Sequence, residues 1–205
     1  MPDIDIDHMR GDERDAAVLA LARAFHDDPL FNFLVPNLRS QSRALVTFMG
    51  SLLADARPFG EVWVARADRA IAGVAVWLPP GAFPRGTRRE VAAYAREMPS
   101  VHRLGRRLPA ALRLQALLDR KHHEVAEPHW YLSLLGTDPS FQRRGVGSAL
   151  LAPVLARAHE QGIPAYLETQ KEMNVPYYRR HGFELVEQIQ ARGCPPMWTM
   201  SRAEP

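Results

Sequence analysis

The sequence predicts an α/β (α+β) protein with a central sheet of mixed strand direction, and three observations predict it. Segments with the two-residue alternation of strands and segments with helical spacing follow one another along the 205 residues, the pattern of helices packed around a sheet. Glu61–Arg66 and Ala70–Leu78 are β-rich runs divided only by Ala67-Asp68-Arg69, so they read as a hairpin. The content, 46% hydrophobic and 24% charged, suits one soluble domain with a single core.

Taken in order, Ile4, Ile6 and His8 alternate with Asp3, Asp5 and Asp7 as a first strand. Gly11-Asp12 opens a helix in which Val18, Leu19, Ala22 and Phe25 recur at helical spacing, and Asp27-Asp28-Pro29 ends it. Leu30–Ala56 is mixed and apolar, helical from about Ser40. Pro79-Pro80-Gly81 closes the hairpin. The segment 81–128 differs from its surroundings: ten Lys or Arg stand against five Asp or Glu, with helical periodicity in pieces. The preferred reading is two solvated helices covering one side; the alternative is a cap over an acceptor pocket. Trp130–Leu135 is an apolar strand, followed by a turn at Thr137-Asp138-Pro139. A helix to about Gln161 presents Val146, Leu150, Val154 and Leu155 on one face, with a kink expected at Pro153. Ala165–Thr169, Phe183–Ile189 and Met197–Met200 are the remaining strands.

Several functional classes are excluded or disfavoured. The start, MPDIDIDHMR, has no apolar core and is not read as a signal peptide. No apolar run approaches the roughly 20 residues of a membrane span. Cys194 is the one cysteine, so neither a disulfide framework nor a zinc set is expected, and a reducing, cytoplasmic setting fits. His122, His123 and His129 have no carboxylate or cysteine to complete a metal set and read as a surface loop. A net charge of +3 permits an anionic ligand without arguing for nucleic acid.

The strongest chemical signal is LSLLGTDPSFQRRGVGSALL at Leu132–Leu151. Backbone N–H groups at the start of a helix lack intrahelical partners and, with the helix dipole, bind anions. Gly145 and Gly147 would let a pyrophosphate approach the backbone with no Cβ in the way, and Arg143 and Arg144 add positive charge. The lysine of a Walker loop is missing, and Leu150 occupies the third glycine position of a dinucleotide fingerprint. What remains is Gln142-x-x-Gly145-x-Gly147 after a strand. Downstream, Asn174 is expected to cap a short helix to His181, Pro176 falls in its first turn, and Gly182 supplies a left-handed stop. Asn174 and Tyr178, four apart, share a face of that helix.

Those two segments, in that order, resemble the two cofactor motifs of the GNAT acetyltransferase superfamily. Trp130-Tyr131-Leu132, Leu167-Glu168-Thr169, Asn174–Tyr178 and Trp198–Arg202 further resemble the branch that includes puromycin N-acetyltransferase. Ala24–Pro29 and Val62–Ala65 extend that likeness to nearly the whole chain. It departs at Asp28, where that branch carries an aromatic residue beside the acceptor. The resemblance implies a GNAT fold: a mostly antiparallel sheet of about six or seven strands, splayed between the fourth and fifth and flanked by helices. Residues 1–205 would form one such domain, with a helical insertion at about 81–128.

The resemblance also implies function. Acetyl-CoA would be held by Leu135, Gly136, Thr137, the segment Gln142, Arg143, Arg144, Gly145, Val146, Gly147 and Ser148, and by Asn174 and Tyr178. The acetyl group would pass directly to a primary amine of a small molecule in a ternary complex, with no metal and no acyl-enzyme on Cys194. Amides at the splayed end of Leu132–Thr137 would polarise the carbonyl, and Tyr178 would give the leaving thiolate its proton. Tyr177, on another face, is expected in the core. Glu168 is the candidate base, the alternative being a solvated or ion-paired strand-end carboxylate. Asp27 and Asp28 are weaker candidates for attracting a cationic amine; an ordinary helix-ending turn is preferred. A protein or peptide acceptor and a non-catalytic CoA-binding module are the alternatives. No nucleic acid or membrane partner is expected, and the chain is read as a monomer or homodimer.

Overall fold

In chain order, a computed structural model places β1 (Asp5–His8), α1 (Arg14–Ala24), α2 (Pro29–Leu34), α3 (Leu38–Ala56), β2 (Val62–Ala67), β3 (Ala70–Leu78), α4 (Thr87–Val101) and α5 (Leu108–His123). Then come β4 (Trp130–Thr137), α6 (Val146–Gln161), β5 (Ala165–Thr169), α7 (Val175–Arg179), β6 (Glu184–Ile189) and β7 (Met197–Arg202). The structure describes residues 4–203 apart from 84, 126 and 127, so Asp3 of the first strand and Glu127, one of the five acidic residues counted in 81–128, lie outside it. Among the described residues no helix is long and apolar enough to cross a membrane.

The seven strands are ordered β1-β2-β3-β4-β5-β7-β6. Every neighbouring pair is antiparallel except β4 and β5. The β2–β3 hairpin turns on Asp68 and Arg69, both at positive φ (50° and 62°), the primed geometry whose twist matches that of the strands. Val64, Val74 and Val76 face α1 and α3 on one side of the sheet. Ala75, Trp77 and Leu132 face α6 on the other. Helix α6 runs through Pro153 as one segment, burying Val146, Leu150, Val154 and Leu155 as its spacing predicted.

A break in strand β4 positions the site. Its pairing with β3 steps from Val76↔Leu134 to Trp77↔Leu132, leaving Ser133 unmatched. Such a bulge bends a strand and increases its local twist. The parallel ladder to β5 ends at the same place: Trp130, Tyr131 and Leu132 pair with Ala165, Tyr166 and Leu167, and no further. Beyond Leu132 the two strands part, so residues 134–137 pair with β3 on one edge and, among the described residues, with no strand on the other.

Three elements differ from the sequence reading. Helix α2 was not foreseen; Asp28 starts it by accepting from the amides of Leu30 and Phe31. Helix α3 begins at Leu38 rather than Ser40 because the Asn37 side chain caps it through Ser40 N. In the segment 81–128, α4 and α5 are not merely a solvated cover, since both line the central cavity. The segment is clamped to α3 at buried Asp55, which accepts from Arg85 Nε (2.8 Å) and from Arg89 Nε (3.0 Å) and Nη2 (2.8 Å). Burial pushes the Asp55 carboxyl up, but those guanidinium hydrogen bonds outweigh it and hold it below its ordinary range.

Candidate active site

The gap between β4 and β5 opens into a cavity of about 870 Å³ that runs from the start of α6 to a chamber beneath α3, α4 and α5. On the α6 side, no side chain caps the helix N-terminus, so the first-turn amides of Val146, Gly147 and Ser148 face the cleft without a capping acceptor. Arg143 (φ 62°) and Gly145 (φ 83°) are both left-handed, which turns successive amides toward one concavity suited to an anion. The Gln142 carboxamide donates to Thr137 O (3.4 Å), tying the loop to the end of β4. Asp138 fixes the same turn, accepting from Ser140 N (2.9 Å) and from Arg23 Nε (2.6 Å) of α1.

The two glycines have different reasons. Nothing lies within 4 Å of a Cβ built on Gly145, so its approach is open and its left-handed φ is the constraint. A Cβ on Gly147 would lie 2.7 Å from the Tyr177 hydroxyl, so that space is occupied by a phenol and not left for phosphate. Gly147→Ala should therefore destabilise the fold by about 1–2 kcal/mol, as overpacking does, and weaken acetyl-CoA binding. Adding Tyr177→Phe should recover part of both, measured by urea unfolding and by titration calorimetry.

The expected cofactor residues Leu135, Gly136, Thr137, Gln142, Arg143, Gly145, Val146, Gly147, Ser148, Asn174 and Tyr178 all line the cavity. Arg144 does not: its guanidinium lies 3.8 Å from Asp68 and over the Phe141 ring. Asn174 is also corrected. Its side chain makes no cap, because its own backbone is already helical; instead Nδ2 donates to Thr169 Oγ1 (3.0 Å) at the end of β5. The Ser148 hydroxyl is bonded to His181 Nε2 (3.0 Å), leaving the Ser148 amide toward the cleft. Tyr177 packs against the core, as expected, and also lines the cavity beside Tyr178.

At the sheet end of the cavity, Glu168 projects from the end of β5, partly buried. Burial pushes its carboxyl up to about 7, while the phenols of Tyr131 and Tyr166 pull it the other way. Asp28 lines the cavity too, 4% exposed, with Oδ1 engaged in capping α2 and its carboxyl raised by burial. Tyr178, 7% exposed, packs edge-on against Tyr177 and Phe183, and burial pushes its phenol well above the usual value. Cys194 is buried away from the cleft, donating to Ala110 O (3.5 Å).

The histidines overturn the surface-loop reading. His123 is exposed, but His122 and His129 are 1% and 3% exposed, with Nε2 atoms 2.9 Å apart. His122 wedges between the rings of Tyr131 and Tyr166, behind Glu168. Their seven-residue spacing across a loop carried no periodic signal. Among the described residues no group of three or more metal-ligating side chains is assembled. Burial, then the charge of His129, lowers His122 to about 3. Its folded value lies below the unfolded 6.5, so its stabilising contribution is complete above pH 6.5 and lost as pH falls toward 3. Unfolding free energy should drop by up to about 1.4 kcal/mol per pH unit in that window. Urea unfolding at pH 8 and pH 5 measures the slope, and His122→Phe should flatten it.

One parallel strand pair opening beside an uncapped helix start is an architecture suited to an acyltransferase. The chain belongs to the acetyltransferase (GNAT) family, whose model matches residues 21–183. An uncharacterized N-acetyltransferase of Schizosaccharomyces pombe is 26% identical over 184 residues, covering 84% of this chain and 71% of that protein. The uncharacterized N-acetyltransferase YafP of Escherichia coli is 35% identical over 66 residues, 31% of this chain and 41% of YafP. Against YafP, then, the match spans well under half of the relative's length. A solved structure from Corynebacterium glutamicum, described as histone acetyltransferase HPA2 and related acetyltransferase, superposes with a TM-score of 0.67. It has 24% identity and covers 100% of this chain and 98% of its own. Arylalkylamine N-acetyltransferase 2 of Aedes aegypti superposes at 0.63 with 14% identity, covering 99% and 100%. At these identities the likeness is one of fold.

Proposed function

We propose that the chain transfers the acetyl group of acetyl-CoA to a primary amine of a small molecule by direct attack in a ternary complex. The observation that carries this reading is the single cleft joining the uncapped start of α6, the opened β4 edge, Tyr178 and Glu168. The residues fit the cofactor: an uncapped helix start beside a left-handed, unobstructed Gly145 suits a diphosphate. Amides of Val146, Gly147 and Ser148, with Arg143, would hold that diphosphate, and Asn174 would meet the pantetheine arm. Acetyl-CoA supplies an acetyl group activated as a thioester.

Glu168 takes the proton from the incoming ammonium, directly or through water. Amides on the unpaired edge of β4 after the Ser133 bulge stabilise the developing oxyanion. Tyr178 donates to the departing sulfur. Asp28, besides capping α2, adds negative charge to the acceptor chamber. We read residues 1–205 as one domain in which the insertion at about 81–128 supplies a wall of that chamber. Its enclosure by α3, α4 and α5 favours a small acceptor over a peptide. The narrower likeness to the puromycin N-acetyltransferase branch rests on the sequence segments quoted above.

CoA release measured across aminonucleosides, aminoglycosides, polyamines and peptides tests the reading. Turnover of a small amine is expected. Preference for peptides would replace the acceptor class, and acetyl-CoA binding with no thiol release from any amine would make the chain a binding module.

A further inference from the structure

The mechanism above leaves one carboxylate of the cavity without a task. Tyr94, Glu97 and Val101 of α4, spaced three and four apart, face the chamber together. Ser51 of α3 donates its hydroxyl to Glu97 Oε1 (2.9 Å), and 2% exposure of Ser51 fixes that contact inside the fold. Among the described residues no guanidinium or ammonium comes within salt-bridge reach of Glu97. The nearest cations, Arg85 and Arg96, act on it only at longer range. Arg85 is committed through Nε to Asp55, which Arg89 also holds. Burial accordingly disfavours the charged form of Glu97.

A carboxylate partly withdrawn from water, as Glu97 is, carries a desolvation cost unless cationic or hydrogen-bonding partners complete it. Ser51 completes one oxygen; the rest of the group borders a chamber whose other walls are largely apolar, among them Phe31, Phe48, Leu108 and Leu118. Glu168 stands at the sheet end of the same chamber. Besides Asp28, whose Oδ1 is engaged in capping α2, the cavity therefore offers two carboxylates, one on the sheet and one on α4, with apolar surface around them.

We infer that Glu97 is a specificity-determining residue that binds a second cationic group of the acceptor. The substrate class is then a diamine or guanidinoalkylamine: the reacting amine at Glu168, an apolar spacer, and an ammonium or guanidinium at Glu97. This rests on the acetyl-transfer reading above.

The test compares kcat/KM for α,ω-diaminoalkanes of increasing length with matched n-alkylamines and ω-amino acids. Wild type should favour the best diamine over its monoamine by about tenfold or more, the worth of a charged hydrogen bond. In Glu97→Gln that ratio should collapse toward one. Ser51→Ala, which loosens Glu97 without removing it, should give an intermediate ratio and serves if the first variant fails to fold. A wild-type ratio near one, a ratio that survives Glu97→Gln, or a preference for the ω-amino acid through Arg85 overturns the inference. If no amine is acetylated, the acetyl-transfer reading fails separately. Calorimetric titration of the best-fitting diamine into the CoA-saturated protein then decides: about tenfold weaker binding to Glu97→Gln supports the site, and equal affinity removes it.

Discussion

Replacing Glu168 by glutamine lowers kcat/KM by about 100-fold, the usual worth of a positioned general base, and removes the acid limb of the pH profile. The carboxylate is the active form, and burial places its midpoint near 7. Wild-type activity should therefore rise with pH through about 7 and level off. In Glu168→Gln the remaining rate should follow only the free-amine fraction of the acceptor. Tyr131→Phe separates this from a structural effect. The phenol of Tyr131 favours the ionised carboxylate, so its loss should move the midpoint upward while leaving a limb to be measured. An unchanged profile in Glu168→Gln would leave the ammonium proton to water.

In the sequence Glu168 stood out as a strand-end carboxylate, with a solvated or ion-paired role as the alternative; the structure places it partly buried in the cavity. Its environment did not show in the sequence. Tyr131 and Tyr166 are adjacent to it only because β4 and β5 pair in parallel at Tyr131↔Tyr166, a register that no local pattern announces. His122 comes to the same place from the end of α5, as a lone residue in a basic run. Long-range pairing, not composition, decided its burial.

The side proposed for the cofactor was more legible as geometry, since its glycines and helix starts are local features. Gln142–Ser148 and Asn174–Tyr178 are each short continuous stretches to which the glycine and cap rules apply directly. The errors were also local in kind. Asn174 looked like a cap, yet its side chain goes to Thr169 because the backbone before it already turns as a short 3-10 segment. Gly147 looked like room for phosphate, yet Tyr177 fills that space. The bulge at Ser133, which opens the sheet, leaves no mark in LSLL, because a bulge depends on the partner strand. In the insertion, charge masked the signal: Tyr94, Glu97 and Val101 have helical spacing, but arginines on the other faces made α4 read as a solvated helix.

Tyr178→Phe should lower kcat by about 100-fold with little change in the KM for acetyl-CoA. A phenol at the reference value passes its proton to a thiolate near 8.5 at a cost of about 2 kcal/mol, and burial raises that cost. Tyr178 therefore stays protonated across the working pH range and serves first as a hydrogen-bond donor, its proton crossing only as sulfur departs. Such a contact strengthens in the transition state and belongs in kcat. Tyr177→Phe provides the contrast. Its hydroxyl lies over Gly147 in the first turn of α6, proposed to hold the diphosphate, so its loss should appear in acetyl-CoA affinity and leave kcat within about twofold. If the Tyr178 variant turned over at the wild-type rate with saturating amine, the thiolate would be leaving without its help. The neighbouring phenol of Tyr177, a residue that also lines the cavity, would then be the donor to test.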